Sequence, residues 1–363
     1  MDELSKARQA INAIDEEMAR LFEQRMCAVE NVIAYKLEHQ MDVLDRSRED
    51  EVIKRNMAYI QQESYRPYYQ MFIEDVMKNS RAYQKSRIHQ EKIAYAGNLG
   101  AFSHIAAMKL FPDKEHVHVP TFEDVVAMVE NQEAAYGVLP FENSYTGEVG
   151  ENMDMILSHD IYIHQMYDLK IEQNLLGVKG ASLSDIKQVY SKDQAISQSR
   201  TFLHGRGWEL IPYPNTALAA EYIAKENDPS KAAIASRETA KLYGLDILAS
   251  HINTSLENTT RFIVIGKQPS LKGDRVSLVF TLHHETGALA KVMSLISERG
   301  FNMESIHSRS LKDEPFAYYF YVEIVADVKD TATKQLCADM APLCERLKIA
   351  GSYQKEGIHH AFR

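Results

Sequence analysis

The first forty residues carry the pattern that most constrains how this chain can fold. Apolar side chains recur there at spacings of three and four, with no Gly or Pro to interrupt them. This is the period of one face of an α-helix, which at about 1.5 Å per residue would extend over roughly 50 Å. We call this row of residues the first-helix face. It consists of Leu4, Ala7, Ile11, Ile14, Met18, Leu21, Arg25, Ala28, Val32 and Tyr35.

One cation interrupts the apolar character of the first-helix face. Arg25 stands where an apolar residue belongs, and Lys36 follows on nearly the same side of the helix. A cation that faces an apolar surface is costly unless an anion meets it. One interpretation pairs Arg25 with a buried carboxylate and leaves Lys36 and Arg48 in solvent. The other interpretation is that these cations bind an anionic ligand.

Composition places the chain among ordinary globular proteins of two or three domains, with 363 residues, 45% of them hydrophobic and 25% charged. The net charge of −10 argues against nucleic acid as a partner. Three unevenly spaced cysteines indicate no disulfide framework and favour a reducing compartment. No apolar run is long enough to span a membrane, and the first residues lack the features of a signal peptide. We therefore expect a cytoplasmic protein.

The distribution of glycine and proline divides the chain into parts of different composition. The first 96 residues contain no Gly and a single Pro. They predict an all-helical domain, with helices to about residue 39, over 47–62 and over 67–87. A helix as long as the first cannot bury its face against two shorter ones, so we expect a partner chain.

Short strands and helices alternate further along the chain, which predicts parallel α/β units in two lobes with a cleft between them. After a linker at 267–274, a βαββαβ order predicts a ferredoxin-like unit whose second helix would cover 331–347. The expected fold class is therefore multi-domain α plus α/β. The expected domains are 1–90, 91–268 and 274–354.

Polar residues on the three predicted helices have a spacing that resembles the helical class of chorismate mutase. In that family an intertwined dimer rearranges chorismate to prephenate, and the first helix supplies two arginines and a lysine. An Arg-Glu pair opens the second helix, and Ser-x-x-x-Gln lies on the third. The residues that correspond here are Arg8, Arg25, Lys36, Asp45, Arg48, Glu49, Ser80 and Gln84.

The resemblance also implies a role for each of these groups. The rearrangement is pericyclic and needs no nucleophile, so catalysis rests on positioning and on stabilising charge at the ether oxygen. The arginines would hold the two carboxylates of chorismate, with Arg8 serving the site of the partner chain. Lys36 and Gln84 would donate to the ether oxygen. Glu49 and Asp45 would bind the ring hydroxyl or its neighbours.

Four stretches in the middle of the chain resemble prephenate dehydratase, whose fold is like that of periplasmic binding proteins. They are 97–104, 140–144, 189–194 and 258–262, the last containing the Thr-Arg-Phe signature. The resemblance implies decarboxylation and dehydration of prephenate to phenylpyruvate. Thr260 would donate to the departing ring hydroxyl, and the Gly-x-x-Gly turn at 97–100 would offer N–H groups to an anion. The substrate-binding residues implied are Ser103, Asn143, Ser144, Ser191, Gln194, Thr260, Arg261 and Phe262, with Arg261 holding a carboxylate.

Each stretch taken singly has a structural explanation, as a turn, a cap or a packing residue. The stretches also depart from the family's pattern, because the usual Ser-His-Pro-Gln reads Ser-Lys-Asp-Gln at 191–194. Asn98, Ala101 and Ser199 replace the usual Pro, hydroxyl residue and Cys. We therefore give little weight to positions 98, 101, 192 and 199 as catalytic residues.

Two short segments near the end resemble the ACT regulatory domain, which binds phenylalanine at a subunit interface. The first opens a predicted helix and the second ends a predicted strand. There His307 replaces the family's Glu and Ser310 its Pro, so a unit that only dimerises is the alternative. The effector-binding residues implied are Gly287, Ala288, Leu289, Ala290, His307, Ser308 and Arg309.

The three resemblances occur in the order found in bifunctional P-proteins, which are chorismate mutase–prephenate dehydratases with an ACT domain. They imply an enzyme of phenylalanine biosynthesis, inhibited by L-phenylalanine, that works as a homodimer or higher homo-oligomer. Neither reaction calls for a cofactor, and we find no spacing of ligands for a metal; His283 and His284 are expected on a loop surface. An arogenate dehydratase and a catalytically inactive phenylalanine sensor are the alternatives.

Overall fold

The protein is described by a computed structural model that covers residues 2–39, 41, 46–88, 92–255, 257–311 and 317–356. The chain forms two compact units, Met1–Glu91 and Lys92–Arg363. Within the described residues, none of the helices is long and apolar enough to cross a membrane.

The first unit is all-helical, as the absence of glycine predicts. Its helices are α1 (Glu3–Glu38), α2 (Arg46–Met57) and α3 (Arg66–Ile88), with one turn of 3₁₀ helix before α3. The second helix ends at residue 57, short of the predicted residue 62. Its last backbone bonds span three residues instead of four, as from Ala58 N to Arg55 O (3.2 Å), and such bonds close a helix.

The helix α1 packs against α3 along only part of its length. Val29 and Ile33 of α1 are buried, and so are Ile73 and Met77 of α3. The amino-terminal half of the first-helix face is exposed within one chain, with Leu4 at 58%. The other exposed members with large side chains include Ile11, Ile14, Met18 and Leu21. Within one chain, α2 and α3 therefore leave this half of the face exposed, as its length predicts.

The second unit contains sixteen strands and nine α-helices in its described residues. The strands are β1 (Lys92–Ala96), β2 (Glu115–Val119), β3 (Tyr136–Asn143), β4 (Gly147–Glu148), β5 (Tyr162–Lys170), β6 (Asn174–Gly177), β7 (Gln188–Ser191), β8 (Glu209–Pro212), β9 (Lys231–Ala235), β10 (Asp246–Ala249), β11 (Thr259–Gly266), β12 (Arg275–Leu282), β13 (Met303–Ser310), β14 (Tyr318–Val325), β15 (Cys344–Tyr353) and β16 (Lys355–Glu356). The helices are α4 (Phe102–Leu110), α5 (Phe122–Glu130), α6 (Gly150–Ser158), α7 (Asp193–Gln198), α8 (Arg200–Leu203), α9 (Thr216–Glu226), α10 (Arg237–Tyr243), α11 (Ala288–Glu298) and α12 (Thr331–Met340).

These strands form two sheets, one for each predicted lobe. The larger sheet has the order β13-β14-β12-β15-β5-β11-β3-β1-β2, and the smaller has the order β10-β6-β9-β7-β8. The chain passes from the first lobe to the second after β5 and returns before β11. Two connections between lobes are typical of a cleft that opens and closes between them.

The prediction of parallel strands is correct for part of each sheet only. Strand β1 runs parallel to β2 and β3, and β7 runs parallel to β8 and β9. Strand β11, in contrast, runs antiparallel to both β3 and β5, and β6 runs antiparallel to β9 and β10. In their described residues, the connections from β5 to β6 and from β10 to β11 contain no helix, whereas parallel neighbours in a sheet are usually joined by a helical crossover.

The carboxy-terminal part has the predicted βαββαβ order, and its sheet continues into that of the first lobe. Strand β15 pairs with β5, where Gly351 lies opposite Ile163. A β-carbon at Gly351 would lie 2.4 Å from the Ile163 carbonyl oxygen, so this junction requires glycine. The predicted helix 331–347 is too long, because Pro342 lies in a 3₁₀ turn after α12 and residue 344 already begins β15.

Candidate active sites and related proteins

A cleft of about 180 Å³ lies between the two lobes of the second unit. Three of the predicted substrate-binding residues line it: Asn143 and Thr260 from the first lobe, and Gln194 from the second. Strands β3 and β11 are neighbours, with Thr260 opposite Asn143 in the register. Residues 117 positions apart in sequence are thereby brought into one site.

Thr260 is held by a hydrogen bond that fixes the role of its hydroxyl group. The Asn143 side-chain oxygen accepts hydrogen bonds from the backbone N–H groups of Tyr145 and Thr146, both at 3.0 Å, so the amide nitrogen must point the other way. That nitrogen donates to Thr260 Oγ1 at 2.9 Å. Since the Thr260 oxygen accepts this bond and no described residue accepts from its hydroxyl, the O–H remains available to a ligand in the cleft.

Gln198 and Gln173, two further amides in the cleft, each have a polar atom without a partner in the part of the chain that the structure describes. Asn258 links Asn143 to Gln198, because its oxygen accepts from Asn143 Nδ2 (2.9 Å) and its nitrogen donates to Gln198 Oε1 (3.0 Å). The other amide atom of Gln198, Nε2, and Gln173 Oε1 have no hydrogen-bond partner among the described residues. Both side chains are buried, with exposures of 6% and 2%. Buried polar atoms without a partner are costly, which marks this part of the cleft as a place for a polar ligand.

Three residues of the cleft lining were not predicted as site residues: Gln173, Gln198 and Asn258. Asn258 is the first residue of the 258–262 stretch, two positions before the Thr of the Thr-Arg-Phe signature, so its position offered a signal. The two glutamines stand in segments without a motif, and only the meeting of the lobes brings them to the cleft.

Several predicted dehydratase residues lie outside the lining of the cleft. The Ser191 hydroxyl donates to the Ile234 carbonyl (2.7 Å) and thereby links β7 to β9. Ser144 bridges two backbone groups near the start of β11, including the N–H of Thr259 at 3.0 Å. Ser103 is buried on α4, and Phe262 belongs to the apolar core beneath it. Ser144 and Phe262 thus hold β11, the strand that carries Thr260, whereas Ser191 joins two strands of the second lobe.

Arg261 is engaged by acidic side chains of the protein itself. Its guanidinium donates to both oxygens of Asp168, at 2.8 and 3.2 Å, and lies 3.6 Å from Glu142. Burial alone would lower the pKa of Arg261, but the hydrogen bond and charge of Asp168 raise it overall. Because Arg261 follows Thr260 on β11, its side chain points to the other face of the strand. The structure therefore does not bring Arg261 to the cleft with Thr260.

The glycine turn before α4 has the predicted shape but little free hydrogen-bonding capacity. Gly97 and Gly100 have φ angles of +98° and +86°, which favour glycine. The Gly97 N–H donates to Val119 O, and the Gly100 N–H donates to His104 Nδ1 (3.1 Å). The expectation that these two groups bind an anion is not supported, because protein atoms already accept from them.

In the first unit, part of the predicted chorismate site comes together between α1 and α3. Arg25 donates a hydrogen bond to the Ser80 hydroxyl, and burial lowers the pKa of the arginine. Ser80 and Gln84 lie one turn apart on α3 and are both buried. Gln84 Oε1 has no partner among the described residues. Among the described residues, the hydrogen-bond partner of Arg25 is therefore a neutral hydroxyl group and not the buried carboxylate of the first interpretation.

The other predicted mutase residues lie elsewhere on α1 and on α2, or outside the described residues. Glu49 forms an ion pair with Arg81, a residue that the sequence analysis did not single out. Arg48 contacts Glu51 at 3.1 Å on the surface of α2, and Arg8 is exposed on α1. Lys36 lies in the last turn of α1. The remaining residue, Asp45, lies outside the described residues.

The predicted effector residues fall into two groups that do not meet. Ala288 and Leu289 line a pocket of about 380 Å³ at the start of α11, together with His283, His284 and Tyr318. Gly287, before the helix, has a φ of +81°, and Ala290 follows in its first turn.

His307 and Arg309 instead contact the first lobe. Arg309 Nε donates to Asp154 Oδ1 (2.9 Å) and its NH1 group donates to Glu148 (3.2 Å), while His307 Nδ1 lies 3.1 Å from Glu148 Oε2. The hydrogen bond from Arg309 to Asp154 raises the pKa of the guanidinium. Ser308, between them on β13, is exposed on the opposite face.

The fold and the cleft define a two-lobed enzyme that carries a ferredoxin-like unit and a separate helical unit. Residues 93–270 match the prephenate dehydratase family, residues 7–85 match chorismate mutase type II, and residues 276–334 match the ACT domain. The chain is 31% identical to the bifunctional chorismate mutase/prephenate dehydratase of Aquifex aeolicus, with 98% of this chain and 99% of the relative covered. It is 28% identical to the enzyme of the same name from Buchnera aphidicola, with 97% and 96% covered.

The chain belongs to the family of bifunctional chorismate mutase/prephenate dehydratases. It rearranges chorismate to prephenate and converts prephenate to phenylpyruvate, in phenylalanine biosynthesis. Among solved structures, prephenate dehydratase from Arthrobacter aurescens in complex with L-Phe has the same fold, with a TM-score of 0.67 at 24% identity. That match covers 73% of this chain and 90% of the other. The predicted fold class and both predicted activities are confirmed.

Proposed function

We propose that the two reactions take place at two separate sites of each chain, the mutase reaction between α1, α2 and α3 and the dehydratase reaction at the cleft around Thr260. The observation that carries the second assignment is the hydrogen bond from Asn143 to Thr260, which leaves the threonine O–H free to donate.

A cytoplasmic location belongs to this proposal, since the three free cysteines are typical of a reducing compartment.

At the dehydratase site, the bond between the ring and its carboxylate breaks and carbon dioxide leaves. The electron pair of that bond completes the aromatic ring and expels the hydroxyl group on the opposite carbon, which leaves as water after taking up a proton. Thr260 would donate to the departing oxygen, where negative charge develops. Asn143 would hold the threonine in the productive orientation, and the unpartnered amide atoms of Gln173 and Gln198 would bind polar groups of the substrate.

The proposal is tested by supplying chorismate to the purified chain and following prephenate and phenylpyruvate over time. We expect prephenate to appear first and phenylpyruvate to follow. Faster turnover of arogenate than of prephenate would favour the arogenate dehydratase, and the absence of both products would favour an inactive sensor. Either result would contradict the assignment of the two activities.

We also propose that the mutase site is completed by a second copy of the chain. Within one chain, Arg25, Ser80 and Gln84 gather near the carboxy-terminal half of α1, while Arg8 lies near the other end of a 36-residue helix. The exposed apolar residues of the first-helix face extend between them. An antiparallel α1 from a partner would cover this face and bring its own Arg8 toward Arg25. A homodimer is the smallest assembly that meets this requirement.

Complementation between two inactive variants tests whether the site is shared. We expect Arg8→Ala and Arg25→Ala chains to lose mutase activity when each is expressed alone. Co-expressed, they form mixed dimers in which one site has both substitutions and the other has neither. Random pairing then leaves about a quarter of the sites intact, so about a quarter of the wild-type turnover should return. Mixtures as inactive as the separate variants would show that Arg8 and Arg25 act within one chain, and dehydratase turnover serves as the control for folding.

L-phenylalanine is the proposed effector of the carboxy-terminal unit. The pocket at the start of α11 combines apolar side chains, including Leu289 and Phe320, with the carboxylates of Glu285 and Glu345. An aromatic amino acid needs both an apolar surface for its ring and an anion for its ammonium group. The Arthrobacter aurescens dehydratase, which shares this fold, was solved with L-Phe, and that supports the proposal.

Arg309 offers a way to separate effector binding from the transmission of its effect. The hydrogen bonds of Arg309 to Asp154 and Glu148 connect β13 to the first lobe, and Glu148 pairs in register with Glu142, next to Asn143. We expect Arg309→Met to bind L-phenylalanine with unchanged affinity by calorimetry and to lose most of the inhibition of dehydratase turnover. Arg299→Met, which removes a surface ion pair to Asp339 in the same unit, is the matched control. Loss of affinity in Arg309→Met would show instead that this residue binds the effector directly.

A further inference from the structure

The charge distribution of the cleft is uneven. Among the lining residues that the structure describes, Lys192 is the one charged side chain, and none is an Asp or Glu. The rest of the polar lining consists of amides and hydroxyl groups, such as Asn215 and Thr216. Lys192 immediately precedes α7 and is exposed to the solvent of the open cleft.

Prephenate brings two carboxylates into this cleft, and at least one of them needs a cation. Arg261, the cation expected from the sequence, is occupied by Asp168 on the other side of β11. Lys192 is therefore the cation of the described lining that is positioned to bind the substrate. The positive end of the α9 dipole adds to it, since Asn215 and Thr216 at the beginning of that eleven-residue helix also line the cleft.

The reaction itself decides which carboxylate Lys192 should bind. The carboxylate on the ring leaves as carbon dioxide and loses its charge in the transition state. A cation bound to it would stabilise the ground state more than the transition state and would slow the reaction. The carboxylate of the keto-acid side chain keeps its charge throughout. An ion pair with that group holds the substrate without opposing the loss of carbon dioxide.

We propose that Lys192 binds the side-chain carboxylate of prephenate and selects this keto acid over arogenate, its amino-acid analogue. Arogenate has an ammonium group beside the same carboxylate. Lys192 repels that group, and no carboxylate in the described lining accepts it. The residue is a substrate-binding and specificity-determining residue of the dehydratase reaction. This inference rests on the assignment of the dehydratase site to the cleft.

Kinetics with both substrates test the inference. We expect Lys192→Gln to raise the KM for prephenate by about tenfold or more while kcat changes by less than about threefold, because an ion pair to the bound substrate is lost. The ratio of kcat/KM for prephenate to kcat/KM for arogenate should fall by a similar factor. Lys192→Arg should keep most of the ratio, and Lys192→Glu should lower it further.

Lys179→Gln is the matched control, because Lys179 is an exposed lysine of the same lobe that does not line the cleft. Mutase turnover of chorismate by the same chains shows whether each variant is folded. An unchanged KM in Lys192→Gln would overturn the binding role, and equal losses for the two substrates would overturn the selection. Failure of the unsubstituted chain to turn over either compound would count against the dehydratase assignment itself.

Discussion

Thr260→Ala is expected to lower dehydratase kcat by about 100- to 10,000-fold, the range associated with a group that donates to a leaving oxygen. The hydroxyl oxygen of Thr260 accepts from Asn143 at 2.9 Å, which leaves its O–H available to a ligand in the cleft. Alanine keeps the β-carbon and the backbone of β11 but removes the donor. The measurement is the rate of phenylpyruvate formation from added prephenate. Mutase turnover of chorismate by the same variant should remain within about twofold of the unsubstituted chain, since the helical unit is not altered.

Two companion variants make this prediction specific. Thr260→Ser keeps the hydroxyl group and should recover a substantial part of the rate. Thr259→Ala changes the neighbouring residue, whose hydroxyl is 3.4 Å from the Glu257 carbonyl, and should leave the rate nearly unchanged. A Thr260→Ala variant that is folded and turns over prephenate at the normal rate would exclude Thr260 as the donor.

Lys36→Ala should have the second large effect, lowering mutase kcat by about 100- to 1,000-fold, as removal of a donor to developing negative charge does elsewhere. Lys36 lies in the last turn of α1, on the side of the helix that includes Arg25. Its ammonium group would donate to the ether oxygen of chorismate as the bond to that oxygen breaks. The measurement is chorismate consumption, and phenylpyruvate formation from added prephenate should remain normal.

An exposed lysine on α3 provides the matched control for this substitution. Lys78→Ala removes the same positive charge from the same unit and should leave both reactions unchanged. A folded Lys36→Ala variant that has lost both activities would contradict the proposal of two separate sites. Normal mutase turnover would remove Lys36 from the site.

Much of the fold followed from local patterns. The period of the first helix and the lack of glycine before residue 97 predicted the helical unit, because both depend on neighbours within a few residues. The direction of β11 could not be predicted in this way, since it depends on which distant strands it lies between. The continuation of the carboxy-terminal sheet into the first lobe was missed for the same reason.

The residues of the proposed dehydratase site also fall into two groups, those that sequence motifs predict and those that only the fold brings to the cleft. Thr260 and Asn143 were found because each stands in a recognisable stretch of sequence. Gln173 and Gln198 stand in no such stretch, and what marks them is a buried amide atom in each with no partner among the described residues. Arg261 was expected to hold a carboxylate because it belongs to the Thr-Arg-Phe signature, but alternation along the strand turns it toward Asp168 instead.

The sequence by itself determined the kinds of unit and their order, because periodicity and residue spacing are properties of neighbouring positions. The two chemistries were implied by the resemblance of its motifs to known families. Only the tertiary structure decided which of the candidate side chains share a surface. It placed Lys192 in the cleft and Arg261 outside it, and it directed His307 and Arg309 toward the first lobe. The physical reason is that a charge acts through the groups within a few ångströms of it, and those groups come from distant parts of the chain.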